Sequence, residues 1–136
     1  MMHKDLQKEK IKTALTNKQA TEMRLADEPF EKIKSGEKTV EIRLYDEKRK
    51  QIKVGDKIIF YRLNDKIDFV SATVIDIHHY KSFKELFSSE LFSMTGFGLM
   101  SVDEATHSMY KYYTQEQEKT FGVLGIEIKL CEQRGK

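Results

Sequence analysis

Three ionisable side chains lie close together in the sequence, in a pattern that can hold an anion. They are Lys38, Glu41 and Arg43. Apolar and polar residues alternate over residues 38–45, which predicts a strand with Glu41 and Arg43 on one face, about 7 Å apart. A guanidinium and an ammonium group placed in this way can orient an anionic ligand. The same spacing also fits an exposed ion pair on a solvated sheet face, worth about 0–1 kcal/mol.

A charged loop over residues 46–53 follows this strand. Its lysines and arginine can contact phosphates, and Tyr45 before it offers a ring on which a base can stack. Asp46 and Glu47 reduce the positive field, so a plain solvated loop fits the same residues. The predicted binding residues for RNA or another anionic ligand are Lys38, Thr39, Glu41, Arg43, Tyr45, Lys48 and Arg49.

Other chemistries find little support in the sequence. Asp76 and His78 share a strand face, but no third metal ligand has a readable spacing. Cys131 has no neighbouring group that would activate its thiol, and no phosphate-binding loop, dinucleotide fingerprint, GxSxG or HExxH motif occurs. We therefore predict no metal and no cofactor.

A short helix over residues 28–35 is predicted to lead into the charged strand. Pro29 suits its first turn, and Gly36 can adopt the left-handed conformation that ends a helix. Phe30 and Ile33 are three residues apart and are expected to face the core.

Strands dominate the rest of the chain. A Val-Gly-Asp turn at residues 54–56 precedes a strand that is apolar on both faces, which predicts a central position in the sheet. The long strand over residues 67–80 is interrupted at Ser71 and Ala72, which is typical of a strand bending around a barrel. Capping boxes beginning at Ser82 and Ser101 predict two helices. Together these elements predict the α+β class, with a small mixed β-barrel and flanking helices.

The length of 136 residues suits one compact domain. We expect an N-terminal extension over residues 1–20 that is a peripheral helix or partly disordered, a domain over residues 21–131 and a tail over residues 132–136. The 24 basic and 22 acidic residues nearly cancel, so net charge does not indicate nucleic-acid binding.

The cysteine content predicts a reducing, cytoplasmic location, because Cys131 is the single cysteine of the chain. Apolar runs remain far shorter than the roughly 18 residues of a membrane helix, so no membrane partner is expected. Oligomeric state is left open by the sequence.

Three segments together resemble the ASCH domain family, a branch of the PUA-like superfamily. The first runs from Pro29 to Arg43 and contains the pattern GxKTxExR; the second is the Val-Gly-Asp turn at residues 54–56; the third is Phe-Gly-Val-Leu-Gly-Ile at residues 121–126. The similarity covers roughly residues 21–130. It implies a PUA-like β-barrel with Lys38, Glu41 and Arg43 around a cleft at one end.

The resemblance also implies a choice of functions. Family members are thought to bind RNA or to act in RNA metabolism, so RNA or a nucleotide-like small molecule is the expected partner. A subgroup hydrolyses N4-acetylcytidine with a lysine, a threonine and a glutamate. Here Glu41 stands at the nucleophile position, Thr39 lies two residues earlier, and the partner glutamate is missing near Gly98.

A hydrolase acting on a modified nucleoside or on RNA would instead use Glu41 as general base and Lys38 to polarise a carbonyl. A third alternative is a protein-interaction module that uses the Phe/Met-rich loop over residues 92–100.

Overall fold

The computed structural model describes residues 20–131. Its strands are β1 (Ala20–Leu25), β2 (Val40–Leu44), β3 (Lys57–Arg62), β4 (Asp65–Tyr80) and β5 (Val123–Leu130). Its α-helices are α1 (Asp27–Ser35), α2 (Phe83–Phe87), α3 (Val102–Met109) and α4 (Gln115–Phe121), with 3-10 turns at Arg49–Gln51 and Glu90–Met94. The predicted N-terminal extension, apart from Ala20, and the predicted tail lie outside the described residues.

The five strands form one mixed sheet in the order β1-β3-β4-β5-β2. Strand β1 pairs with β3 in parallel, and the other pairings are antiparallel. The sheet curls into a half-barrel, which confirms the predicted α+β class and the small mixed barrel. Strands β1 and β2 are its two edges, and the side chain of Arg43 reaches from β2 to the backbone carbonyl of Arg24 on β1 at 3.2 Å. We call the gap between these two edges the seam.

Both faces of β2 are covered. Its apolar side chains pack with α2 and α3 in one hydrophobic cluster; these are Val40, Ile42 and Leu44. Glu41 pairs with Ile126 of β5, and Arg43 pairs with Leu124. Directly paired residues point to the same side of a sheet, so Glu41 and Arg43 face the barrel interior that Leu124 and Ile126 help to fill.

Strand β4 differs from its predicted course. It runs without interruption through Ser71 and Ala72, and the irregularity lies instead between Val74 and Asp76, where the register with β5 shifts. The prediction of a break at Ser71 and Ala72 was wrong because a small residue is needed there for packing: Ala72 is fully buried in the barrel interior.

Arg62 on β3 links helix α1 to the sheet. Its guanidinium pairs with Asp27 and Glu31 of α1 and with Asp68 of β4. It also lies 4.6 Å from the ring centroid of Phe30, which is completely buried. These contacts fix α1, and thereby the point at which the chain enters β2.

Among residues 20–131, no helix combines the length and the apolar character needed to cross a membrane.

Candidate functional site

Lys38, Glu41 and Arg43 form a compact ion-pair triad. Lys38 Nζ lies 3.2 Å from Glu41 Oε1, and Arg43 Nε donates to Glu41 Oε2 at 2.7 Å. Their side chains are only 7%, 5% and 13% exposed, respectively. The arrangement is therefore a buried set of charges on the concave face of the sheet, rather than an ion pair on a solvated face.

Backbone contacts hold Lys38 at the start of β2. Gly36 ends α1 with φ of 90°, and the Lys38 amide then donates to the Lys32 carbonyl at 2.9 Å. From the loop over residues 92–100, Gly96 packs so closely that a Cβ there would lie 3.3 Å from Lys38 Cβ. The Lys38 ammonium is 5.7 Å from the ring centroid of Phe97 in the same loop. This loop therefore covers the lysine end of the triad.

The electrostatic balance keeps Glu41 and Arg43 ionised. Burial raises the pKa of Glu41, but the charges of Lys38 and Arg43 and their hydrogen bonds more than offset this, and the pKa ends below its usual value. Burial likewise lowers the pKa of Arg43, and Glu41 more than compensates, so that this pKa rises. Glu41 is consequently a weak base, and both of its oxygens already have cationic partners.

The outer end of Arg43 lies at the seam. Nη2 donates to the Arg24 carbonyl, while Tyr113 lies close enough to interact electrostatically with the guanidinium. Burial raises the pKa of the Tyr113 phenol, so the hydroxyl remains protonated near neutral pH. Phe83 stacks on the Tyr113 ring with centroids 5.7 Å apart. Sequence analysis missed Tyr113, because its position between two helices carries no local sign that it folds back onto β2.

Tyr45 continues the surface beyond Arg43. Its amide donates to the Gly122 carbonyl at 3.0 Å, and its ring lies 4.2 Å, centroid to centroid, from the exposed ring of His79. The Lys50 ammonium is 5.5 Å from the Tyr45 ring centroid. The residues of this end therefore combine aromatic rings with positive charge.

The charged loop is more neutral than its lysine and arginine content indicates. Arg49 Nη1 pairs with Asp46 Oδ2 at 3.0 Å, and Lys50 pairs with Glu47 at 3.4 Å. Lys48 is exposed on the same loop. Ile52, in the same charged loop, is buried in the barrel core.

The structure divides the predicted site residues into two groups. Arg43, Tyr45 and Arg49 lie at the seam end of β2. Lys38 and Thr39 instead border a groove of about 400 Å³ between the end of α1 and strands β4 and β5. Other lining residues include Ile33, Ile75, Glu127 and Leu130, whereas neither Glu41 nor Arg43 lines this groove. The buried triad lies between the seam end of β2 and this groove.

Solved structures with the same fold include three informative relatives. Hypothetical protein PH0355 is 40% identical, with a TM-score of 0.73, and the match covers 82% of this chain and 99% of that one. Protein PF0455 from Pyrococcus furiosus is 36% identical, with a TM-score of 0.65 and coverage of 84% and 99%. The ASCH protein from Zymomonas mobilis is 17% identical with a TM-score of 0.56, covering 82% and 68%, and this likeness concerns the fold alone. Among curated proteins, none matches significantly.

The half-barrel with its flanking helices is thus a PUA-like fold, as the sequence resemblance implied. The ASCH domain profile matches residues 23–132, and the chain belongs to the ASCH domain family. This fold is associated with RNA binding or hydrolase activity.

Proposed function

We propose that this ASCH domain binds single-stranded RNA or a nucleotide-like ligand at the seam end of β2. The observation that carries the proposal is the placement of Arg43, whose guanidinium is held by Glu41 and by the Arg24 carbonyl at the opening between the edge strands. Tyr113 interacts electrostatically with both Arg43 and Arg49, and Tyr45 lies two residues beyond Arg43 in the chain.

The Arg43 side chain is preorganised for binding a ligand. Its side chain is 13% exposed and is already fixed by two hydrogen bonds. A fixed guanidinium loses little side-chain entropy when a ligand binds, and its planar fork suits a phosphate or a carboxylate. Glu41 then acts as a positioning residue that holds Arg43 and also neutralises the charge of Lys38.

Aromatic rings give the same end a means of recognising a base. Tyr45 and His79 form a ring pair next to the Lys50 ammonium, and Tyr113 lies close enough to Arg43 to interact with it electrostatically. Bases of single-stranded RNA stack on tyrosine and histidine rings, whereas paired bases are not available for such contacts. This favours single strands or free nucleotides as ligands.

The charge distribution predicts that few basic side chains contact the phosphates of the ligand. Asp46 and Glu47 neutralise much of the loop, and the net charge of the chain is only +2. A ligand that touches Arg43 and Lys48 would displace about two counterions, so binding should weaken only modestly as salt rises.

A hydrolase that uses Glu41 as general base receives less support. Both Glu41 oxygens are engaged, and its lowered pKa makes proton abstraction unfavourable at neutral pH. The protein-interaction alternative is also less well supported, because Phe92, Met94 and Phe97 pack against the hydrophobic cluster below them. Only Leu99 and Met100 of this loop are exposed large apolar residues.

Fluorescence anisotropy with a labelled single-stranded RNA octamer tests the proposal. Arg43→Lys keeps the charge but removes the fork, and we expect about tenfold weaker binding, since a hydrogen bond to a charged group contributes roughly 1.5 kcal/mol or more. Arg49→Ala and Tyr45→Ala should also weaken binding. Thermal unfolding of each variant separates lost binding from lost folding.

Lys57→Ala is the matched control. Lys57 is a basic residue of β3. It lies four residues before Tyr61, which pairs with Arg24 at the seam, so it is about 13 Å away along the strand. It should bind like the parent. Folded variants at residues 43, 45 and 49 that all retain parental affinity would refute the proposal, as would an equal loss in Lys57→Ala.

A further inference from the structure

A second cluster of ionisable side chains lies on the other side of the sheet. Asp76 and His78 belong to β4, and Glu127 of β5 is the register partner of Asp76. One ligand atom from each of the three lies within 4.8 Å of the others. His78 and Glu127 are partly buried, and Asp76 is exposed. The sequence shows only Asp76 and His78 together, because Glu127 is brought next to them solely by strand pairing.

A β-bulge in β4 orients these side chains. Val74 and Ile77 both pack against the barrel interior although they are three residues apart, which a regular strand does not permit. The register shift between Val74 and Asp76 accounts for this and turns Asp76 and His78 to the outer face. That is the face on which Glu127 lies.

The two distances from His78 to the carboxylates are close to those between ligands of one metal ion. His78 Nε2 is 3.1 Å from Glu127 Oε1 and 3.6 Å from Asp76 Oδ2. Donor atoms that each lie about 2.0–2.2 Å from a zinc ion are roughly 3.0–3.5 Å apart in tetrahedral or octahedral geometry. A single N–H on Nε2 cannot point well at both carboxylates, whereas a cation between the three atoms satisfies all of them.

The orientation of Asp76 is also fixed from outside the cluster. Its Oδ1 accepts the Ile77 amide at 2.8 Å, which leaves Oδ2 directed at His78. Such an outer hydrogen bond holds a carboxylate in one orientation, as it commonly does for metal ligands.

We propose that Asp76, His78 and Glu127 bind a divalent first-row transition ion, with Zn²⁺ the best fit among common ions. One imidazole and two carboxylates are borderline ligands that suit zinc, and an all-oxygen set would be expected for Mg²⁺ or Ca²⁺. Three protein ligands leave at least one coordination position for water or another ligand. Because Glu127 also lines the groove beside Lys38 and Thr39, the ion lies at the rim of that groove.

Isothermal titration of the full chain with Zn²⁺ tests this proposal. We expect saturable binding of one ion per chain, weakened at least about tenfold by His78→Ala and by Glu127→Gln, which remove one ligand each. The matched control is His79→Ala, since His79 is the next residue on β4 but packs against Tyr45 on the opposite face. His107→Ala and Cys131→Ser, which remove another imidazole and the thiol among the described residues, should bind Zn²⁺ like the parent.

Thermal unfolding provides a second readout, because an ion that cross-links β4 and β5 stabilises only the folded state. The melting temperature of the parent should rise with Zn²⁺ and respond little to Mg²⁺, and that of His78→Ala should not rise. Absence of saturable zinc binding overturns the proposal. So does binding that survives in His78→Ala and Glu127→Gln, or that is lost equally in His79→Ala.

Discussion

Replacing Glu41 by glutamine tests the energetics of the buried triad. The substitution keeps the shape of the side chain but leaves Lys38 and Arg43 charged without their carboxylate, at exposures of only 7% and 13%. Removing one partner of a buried ion pair typically costs about 3–5 kcal/mol. The glutamine oxygen can still accept from Arg43, but its NH₂ group then faces the Lys38 ammonium, donor against donor. We expect a loss of about 3 kcal/mol in the free energy of unfolding.

Urea unfolding monitored by circular dichroism measures this loss, provided that the slope of the transition is unchanged. Glu47→Gln is the control, since Glu47 also pairs with a lysine but is 89% exposed, and it should cost no more than about 1 kcal/mol. Adding Lys38→Met to Glu41→Gln removes one of the stranded charges and should recover part of the loss. A Glu41→Gln protein as stable as Glu47→Gln would refute the reasoning.

Three further outcomes follow from the structure. The pKa of Glu41 is lower in the folded state than its ordinary value of 4.5. The stabilisation by ionised Glu41 is therefore complete above pH 4.5 and is lost as the pH falls through the pKa of the folded state. The difference in unfolding free energy between the parent and Glu41→Gln should shrink in urea titrations below pH 4.5. Gly122→Ala should lower the free energy of unfolding by about 1–3 kcal/mol, which thermal melts can measure. Gly122 has φ of +78° and ψ of −178°, and the new Cβ would lie 3.3 Å from the Tyr80 carbonyl oxygen. Glu118→Gln should cost about 1–3 kcal/mol by urea unfolding, since the buried Glu118 accepts both the Phe83 amide and the Tyr110 hydroxyl and an amide can accept only one of them well.

Local sequence patterns predicted the fold because they act over a few residues. The period of two in β2, the glycine after α1 and the capping boxes at Ser82 and Ser101 each specify backbone geometry nearby, and the structure has the corresponding elements. The break predicted at residues 71–72 was wrong for the opposite reason. Whether a small residue bends a strand or fills a tight place in the core depends on what packs against it.

The site was less accessible to sequence reasoning because its parts meet only after folding. Alternation placed Glu41 and Arg43 on one face, but it could not show that this face points into the barrel. Tyr113 and Glu127 come from segments far along the chain, and strand register or helix packing brings each to its partners. Burial also strengthens the interaction between these side chains, which form a tightly coupled triad rather than a weak surface ion pair.

Chemical-shift mapping offers the most direct test of ligand binding at the seam. Amide resonances of the labelled chain would be followed while a single-stranded RNA octamer is added. We predict that the largest shifts cluster at residues 43–50 and at Tyr113, with little change near Lys57. Shifts centred on the groove at Thr39 and Leu130, or no shifts at saturating RNA, would contradict the proposal that Arg43 at the seam recognises the ligand.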